Sequence, residues 1–300
     1  MKRILLTLLI AAVSCGVGYS QSINTAYSNI TSNAEKGINP KEWLSVIAEL
    51  NSLPKDTIGQ LTSQAIVVAK YLTSHGESHN QKVAGINVLL DFSIGNPSLF
   101  GNQTIPFLKT IPRDVYDSSA IKKLELYLSN GNNPSLQEAI KVSGYVGGEE
   151  LHSFLLQNES LFTRFKRNKW PYALAMSRLG DTLWLNYCLE KVKKLEVNTQ
   201  TIYFVFPDLA YTRQQAAIQY LVDVLQNMSY SCDSPNPEST SKIDCGYRVM
   251  ELLAPAVADF PFSIGVSGDL KVDNYKKALI EVREWFSQKN GSYQIRNDNY

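Results

Sequence analysis

Leu136-Gln137-Glu138-Ala139-Ile140-Lys141-Val142-Ser143-Gly144-Tyr145-Val146-Gly147-Gly148-Glu149-Glu150-Leu151 can be set beside Trp170-Pro171-Tyr172-Ala173-Leu174-Ala175-Met176-Ser177-Arg178-Leu179-Gly180-Asp181-Thr182-Leu183-Trp184. Each stretch holds a helix of small and apolar residues, an aliphatic-Gly turn, and a polar start to a second apolar helix. Gly147 and Gly180 stand 33 residues apart. Helices joined by so short a turn pack as antiparallel hairpins. Thr212-Arg213-Gln214-Gln215-Ala216-Ala217-Ile218-Gln219-Tyr220-Leu221 repeats the theme of Arg, then Ala-Ala, then Leu. Tyr247-Arg248-Val249-Met250-Glu251-Leu252-Leu253-Ala254 echoes it.

Outward from this repeat, apolar residues keep recurring at steps of three and four. Ile58, Leu61, Ala65, Val68, Ala69 and Leu72 form one stripe, and Tyr275, Ala278, Leu279, Val282, Trp285 and Phe286 another. The pattern predicts helices near 40–52, 57–74, 80–93, 118–129, 135–146, 149–157, 169–179, 182–194, 212–228, 244–258 and 272–289. Start signals support them. Asn39-Pro40-Lys41-Glu42 supplies an N-cap and a first-turn proline. Thr57 with Gln60, Ser135 with Glu138, and Thr212 with Gln215 have capping-box spacing. Asp181 is placed to cap the helix of Trp184 and Cys188. Ile202-Tyr203-Phe204-Val205-Phe206 is the best strand candidate, its length being ambiguous with a short helix. The segment 95–116, with Pro97, Pro106 and Pro112, is the best internal boundary of an otherwise single domain over 21–300.

At the repeated residues the chain resembles HEAT repeats, especially the short HEAT-like type also found in phycobilisome lyases. The likeness covers 135–258 and runs more thinly over 39–93. It implies an all-α solenoid of antiparallel helix hairpins, in which each repeat contacts its neighbours and the stack presents an extended surface. The family motif places an Asp in the turn and an Arg at the start of the second helix. Asp208 with Arg213 and Asp244 with Arg248 match those places, and the implied role is a structural ladder of hydrogen bonds between turns. A cation in a helix's first turn gains nothing from the helix dipole, so Arg213 needs such a bond, to Asp208 or to a neighbouring carbonyl. An ordinary all-helical globule is the alternative architecture.

The N-terminus speaks to compartment. Lys2-Arg3 precedes the apolar run Ile4-Leu5-Leu6-Thr7-Leu8-Leu9-Ile10-Ala11-Ala12-Val13, which is too short to span a bilayer. Gly18-Tyr19-Ser20 before Gln21 offers a small-x-small cleavage site, so 1–20 reads as a secretory signal peptide. Such a leader is similar to those of exported proteins of Bacteroidota. The rival reading is a lipoprotein anchored at Cys15, since Ala12-Val13-Ser14-Cys15 resembles a lipobox. Either way the body is placed in the periplasm or outside the cell, with no further membrane span.

Composition fits that placement. The 300 residues are 44% hydrophobic and 19% charged, which excludes a disordered chain. Lys+Arg is 29 against 28 Asp+Glu; losing Lys2 and Arg3 with the leader leaves 27 against 28. That balance gives no electrostatic reason to expect nucleic acid or anionic lipid. Cys232 and Cys245 flank a polar stretch, Asp233 to Lys242, and an oxidising compartment favours a bridge between them. Zinc is the competing reading, but it needs four ligands and no histidine or second cysteine pair lies near. Cys188 falls in an apolar helix, as a buried thiol does.

Chemistry-bearing patterns are sparse. His75-Gly76-Glu77-Ser78-His79 places two histidines four apart, yet Gly76 and Ser78 read as an inter-helix loop. His152 is isolated. Glu149-Glu150 sit where a helix dipole favours acids. No nucleophile elbow, phosphate loop or dinucleotide fingerprint occurs, and no cofactor or metal is implied. Arg164-Phe165-Lys166-Arg167-Asn168-Lys169-Trp170 is a basic run with aromatics, and Arg164, Lys166, Arg167, Lys169 and Trp170 form the candidate binding surface. The 31 aromatics include 16 Tyr, a residue suited to protein and sugar contacts alike. The expected function is a non-enzymatic scaffold or adaptor in the bacterial envelope, its partner a protein first. A glycan-binding accessory protein and an enzyme with an unrecognised site are the alternatives.

Overall fold

The computed structural model describes residues 22–32, 43–55, 59–234, 236, 238, 240–265 and 268–300. The leader, Cys15, Gln21, the helix start at Asn39–Glu42, and Thr57 and Ile58 lie outside these residues. Among the described residues the fold is helical, apart from one two-stranded sheet. No helix there is long and apolar enough to cross a membrane. The chain divides into two compact units, with the break between Val142 and Ser143.

The first unit holds α1 (22–32), α2 (Trp43–Ser52), α3 (Gln60–His75), α4 (His79–Gly95), α5 (Asn102–Leu108), α6 (Ser118–Ser129) and the start of α7 (Leu136–Val146). The pairs α3–α4 and α4–α6 pack directly. Their core runs through Ile23, Val46, Leu50, Ile66, Val68, Leu72, Leu89 and Phe92. The 95–116 segment lies inside this unit and is itself wound, as a π-turn at Pro97–Gly101, then α5, then a 3-10 turn at Arg113–Val115. The loop between α3 and α4 supplies a capping box. Ser78 Oγ accepts from Gln81 N, and Gln81 Oε1 accepts from Ser78 N at 3.0 Å. Ser135, expected to cap α7 with Glu138, instead donates its hydroxyl to Asn102 Oδ1 at 2.6 Å. Glu49 is buried and accepts the Ile23 N–H at 3.1 Å, which fixes the start of α1.

The second unit carries α8 (Glu149–Gln157), α9 (Glu159–Thr163), α10 (Lys166–Arg178), α11 (Thr182–Val192), α12 (Thr199–Phe204), α13 (Phe206–Thr212), α14 (Gln215–Gln226), α15 (Gly246–Leu253) and α16 (Tyr275–Lys289). Consecutive helices α10–α11, α13–α14, α14–α15 and α15–α16 pack in sequence, and α10 also packs on α13. The α10–α11 turn follows from its residues. Gly180 adopts φ 96°, its N–H donates to Ser177 O, and Asp181 N–H reaches Met176 O, each at 3.0 Å. That is the Schellman closure, which needs a residue free of a Cβ in the left-handed region. Asp181 Oδ1 then accepts Trp184 N–H at 3.0 Å and opens α11. Gly144 answers a different need. A Cβ there would lie 2.6 Å from Ala175 Cα, so only glycine lets the last turn of α7, which belongs to this unit, come so close to α10.

Ile202–Phe206 is not a strand. Asn198 Oδ1 caps α12 by accepting Thr201 N–H at 3.1 Å. Ile202 and Phe206, four apart, are buried, whereas Phe204 is 76% exposed. A strand would place 202, 204 and 206 on one face, so the exposure of Phe204 between the buried pair decides. Pro207 fits the first turn of α13. The one sheet pairs β1 (Ser231–Asp233) with β2 (Lys242–Asp244), antiparallel, with Cys232 opposite Ile243. Cys232 and Cys245 form the disulfide expected from their spacing, with Cα atoms 5.0 Å apart. Asp244 then takes both terminal nitrogens of Arg283 at 2.8 and 2.9 Å, tying the hairpin to α16.

Two outcomes follow from this packing. Replacing Cys232 and Cys245 together by Ser should cost roughly 3 kcal/mol, because a short closed loop no longer restricts the unfolded chain; thermal melting of the oxidised wild type against the double variant reads it. Glu49 titrates above its ordinary value, because burial disfavours its charge more than the hydrogen bonds at the start of α1 favour it. A raised carboxyl pKa means the folded state keeps its proton longer. Its contribution is present below about pH 4 and is lost as pH rises through the raised value. Urea midpoints should therefore shift in favour of Glu49→Gln over wild type between about pH 4 and pH 7, and a constant difference would contradict this.

Candidate functional site

The basic run stands where α9 meets α10. Arg164, Phe165, Lys166 and Arg167 are exposed, and Lys169 is half-buried one turn further along. Phe165, 40% exposed, has the Arg164 guanidinium 4.8 Å and that of Arg167 5.8 Å from its ring centre. Lys169 Nζ lies 5.1 Å from the Tyr187 ring and 5.9 Å from Trp184, while Lys191 Nζ covers Tyr187 at 5.7 Å. Leu183, 74% exposed, sits one turn before Tyr187 on α11. Among the described residues, none of Arg164, Lys166, Arg167, Lys169 and Lys191 is within ion-pair distance of a carboxylate. The result is a cationic ridge studded with aromatic faces. Trp170, counted with this run in the sequence, does other work. It is half-buried, and its indole N–H donates to Asp208 Oδ2 at 2.7 Å, joining α10 to α13.

The expected Asp–Arg ladder takes different partners. Asp208 holds Trp170, Asp244 holds Arg283, and Arg248 pairs with Glu251 at 2.7 Å while its guanidinium lies 5.1 Å from the Tyr203 ring. Arg213 is not in the first turn of α14. It is the left-handed residue that ends α13, at φ 52°. Thr212, expected to open a capping box with Gln215, is the last residue of α13 and donates its hydroxyl to Leu209 O at 2.7 Å. Gln214, with no side-chain cap, precedes α14. The chain reverses so tightly here that the hydroxyl serves the helix behind it rather than the helix ahead.

Arg213 is 5% exposed and Arg178, at the end of α10, is 9% exposed. The Arg178 guanidinium lies between the rings of Tyr145 and Tyr211, at 5.1 and 4.8 Å, and donates to Tyr211 O at 2.7 Å. Arg213 donates to Ala210 O at 2.6 Å. Segment 292–300 crosses over both. Arg178 donates to Asn299 O at 2.5 Å, and Arg213 donates to Asn299 Oδ1 and Tyr300 O, each at 3.0 Å. Tyr300 packs against Tyr145 and Tyr211, at 5.6 and 5.1 Å between ring centres. Burial, with Arg178 and Arg296 nearby, pushes the Arg213 pKa down to about 9, which still leaves it cationic at neutral pH. Sequence reading missed Arg178, Tyr145 and the covering segment. The available signal was one arginine closing a helix of small apolar residues, Ala173 to Met176.

The remaining candidates stay apart. His75 stacks on Tyr71 at 4.6 Å, and both it and His79 are exposed. Among the described residues no three His, Cys, Asp or Glu side chains gather as metal ligands would. Glu149 and Glu150 stand in the first turn of α8, and His152 is half-buried further along it. Burial pushes the Cys188 thiol up to about 12, so it stays protonated beside Ser177. Comparison with family models, curated proteins and solved structures finds no match for this chain.

Arg213→Ala should lower stability by about 1.5–3 kcal/mol, the worth of a buried charged hydrogen bond. Arg213→Gly should be milder by about 1 kcal/mol, since glycine carries no left-handed penalty. Denaturation midpoints of the two variants test this; equal losses would place the whole effect in the guanidinium.

Proposed function

We propose that the chain is an exported, HEAT-like helical-repeat scaffold that binds a partner protein in the bacterial envelope. The observation that carries this reading is the cationic ridge of Arg164, Arg167, Lys169 and Lys191, interleaved with Phe165 and Tyr187 and facing no carboxylate of its own unit among the described residues. Unpaired cations beside exposed rings suit an acidic surface, because complementary charge steers the encounter and the rings supply burial. Successive packed helices in the second unit support the repeat reading, and the disulfide agrees with an oxidising compartment. An anionic glycan is the second reading, favoured by the exposed ring of Phe165, against which a sugar can stack.

A photo-crosslinker in place of Phe165 in the exporting cell should capture one acidic protein. The triple variant Arg164→Glu, Arg167→Glu, Lys169→Glu should lose that adduct while keeping the wild-type melting curve. Affinity for the isolated partner should fall about tenfold or more, mainly through slower association. Retention on an acidic polysaccharide with no protein adduct would favour the glycan, and an adduct indifferent to the triple variant would remove the ridge from the account.

A further inference from the structure

We infer that the Arg178–Arg213 cradle is a binding site for an extended, carboxylate-bearing peptide segment of a partner protein, and that segment 292–300 is its built-in competitor. The inference rests on the protein-binding reading and names a second point of contact for it. The two arginines are held without the segment, by Tyr211 O and Ala210 O and by the flanking rings of Tyr145 and Tyr211. Asn299 and Tyr300 then lie on both guanidinium groups from the far side, so the segment sits as a ligand does on a preformed site. Its main chain is added as a strand would be. Ala258 N–H donates to Gln294 O at 2.8 Å, Arg296 N–H donates to Ala256 O at 2.9 Å, and Val257 bridges Ile295. An incoming peptide can form the same bonds whatever its side chains.

Two features favour a carboxylate at the cradle. The side-chain oxygen that Arg213 bonds, Asn299 Oδ1, is a neutral amide, where a charged acceptor would bond about twice as strongly. Arg213 Nε is buried and has no acceptor at all. Displacement is feasible because Gly291, Ser292, Gln294 and residues 296–298 are exposed. The segment leaves α16 through a turn at Asn290 and Gly291, both at positive φ.

The test uses full-length protein and a labelled nonapeptide with the sequence 292–300, blocked at both ends, together with its Asn299→Asp form. A loosened variant, Ile295→Gly with Asn299→Gly, should bind the nonapeptide at least tenfold more tightly than wild type. The Asp form should bind more tightly still, and Arg213→Lys in the loosened background should abolish binding while circular dichroism is retained. In wild-type protein, an excess of the Asp form should speed hydrogen exchange at the Arg296 amide at least tenfold. The inference is overturned by a folded, loosened variant that ignores the peptide, by equal binding to wild type and loosened variant, or by an Arg296 amide that does not respond. These readings involve no partner protein, so the cradle can fail while the ridge stands, and the ridge can fail while the cradle stands.

Discussion

A buried guanidinium has five N–H donors and no way to shed its charge near neutral pH. Whatever surrounds it must supply oxygens, and that requirement organises the second unit. Arg213 reaches Ala210 O only because it sits left-handed at the end of α13, and that conformation sets the turn into α14. Arg178 reaches Tyr211 O in the same turn, so α10 is bound to the α13 end from the other side. Asn299 and Tyr300 add oxygens from a segment far along the chain. Asn299 Nδ2 in turn donates to Pro255 O at 2.8 Å, which draws in the end of α15. One pair of like charges thereby connects four elements that share no continuous sequence. The cations repel one another, and aromatic faces and carbonyl dipoles offset that repulsion.

How far this was legible depends on the range of the interaction concerned. Local devices read well. Asp181 caps α11, Gly147, Gly148 and Gly180 take positive φ, and Cys232 finds Cys245 across a polar loop. Each is decided within a dozen or so residues. Ile202–Phe206 was ambiguous because β-branched and aromatic residues satisfy both periods over five positions, and only the exposure of Phe204 between the buried 202 and 206 separates them. Thr212 and Gln215 have the spacing of a cap, yet the left-handed Arg213 between them places Thr212 in the preceding helix. Nothing local in Ser292–Tyr300 announces that it will lie across Arg178, because those partners are more than a hundred residues away. Long-range polar contacts leave no periodic trace.

Ridge and cradle share a helix. α10 begins with Lys166 beside the exposed Phe165 and ends with Arg178 beneath the covering segment. Thirteen residues place the two ends about 18 Å apart, at 1.5 Å per residue. The faces between them are fully used: Tyr172, Leu174 and Met176 are buried, and Trp170 is bonded to Asp208. The helix is therefore fixed by its middle and carries cationic groups at both extremities. If the two ends bind as proposed, a rigid element with a fixed spacing between them loses little entropy on binding, which is the advantage of a preorganised surface over a loop.

Rigidity of that kind has to be secured in a unit whose helices are mostly short. α9, α12 and α13 hold five to seven residues each, well below the length at which an isolated helix persists in water. Their order comes from side chains that tie one element to another: Asp208 to the Trp170 indole, Asp233 to Thr199, Asp244 to Arg283. The last two begin in the hairpin closed by Cys232 and Cys245, so the disulfide holds in place the strands from which those carboxylates reach α12 and α16. Reduction would therefore act on α12 and α16 through these contacts.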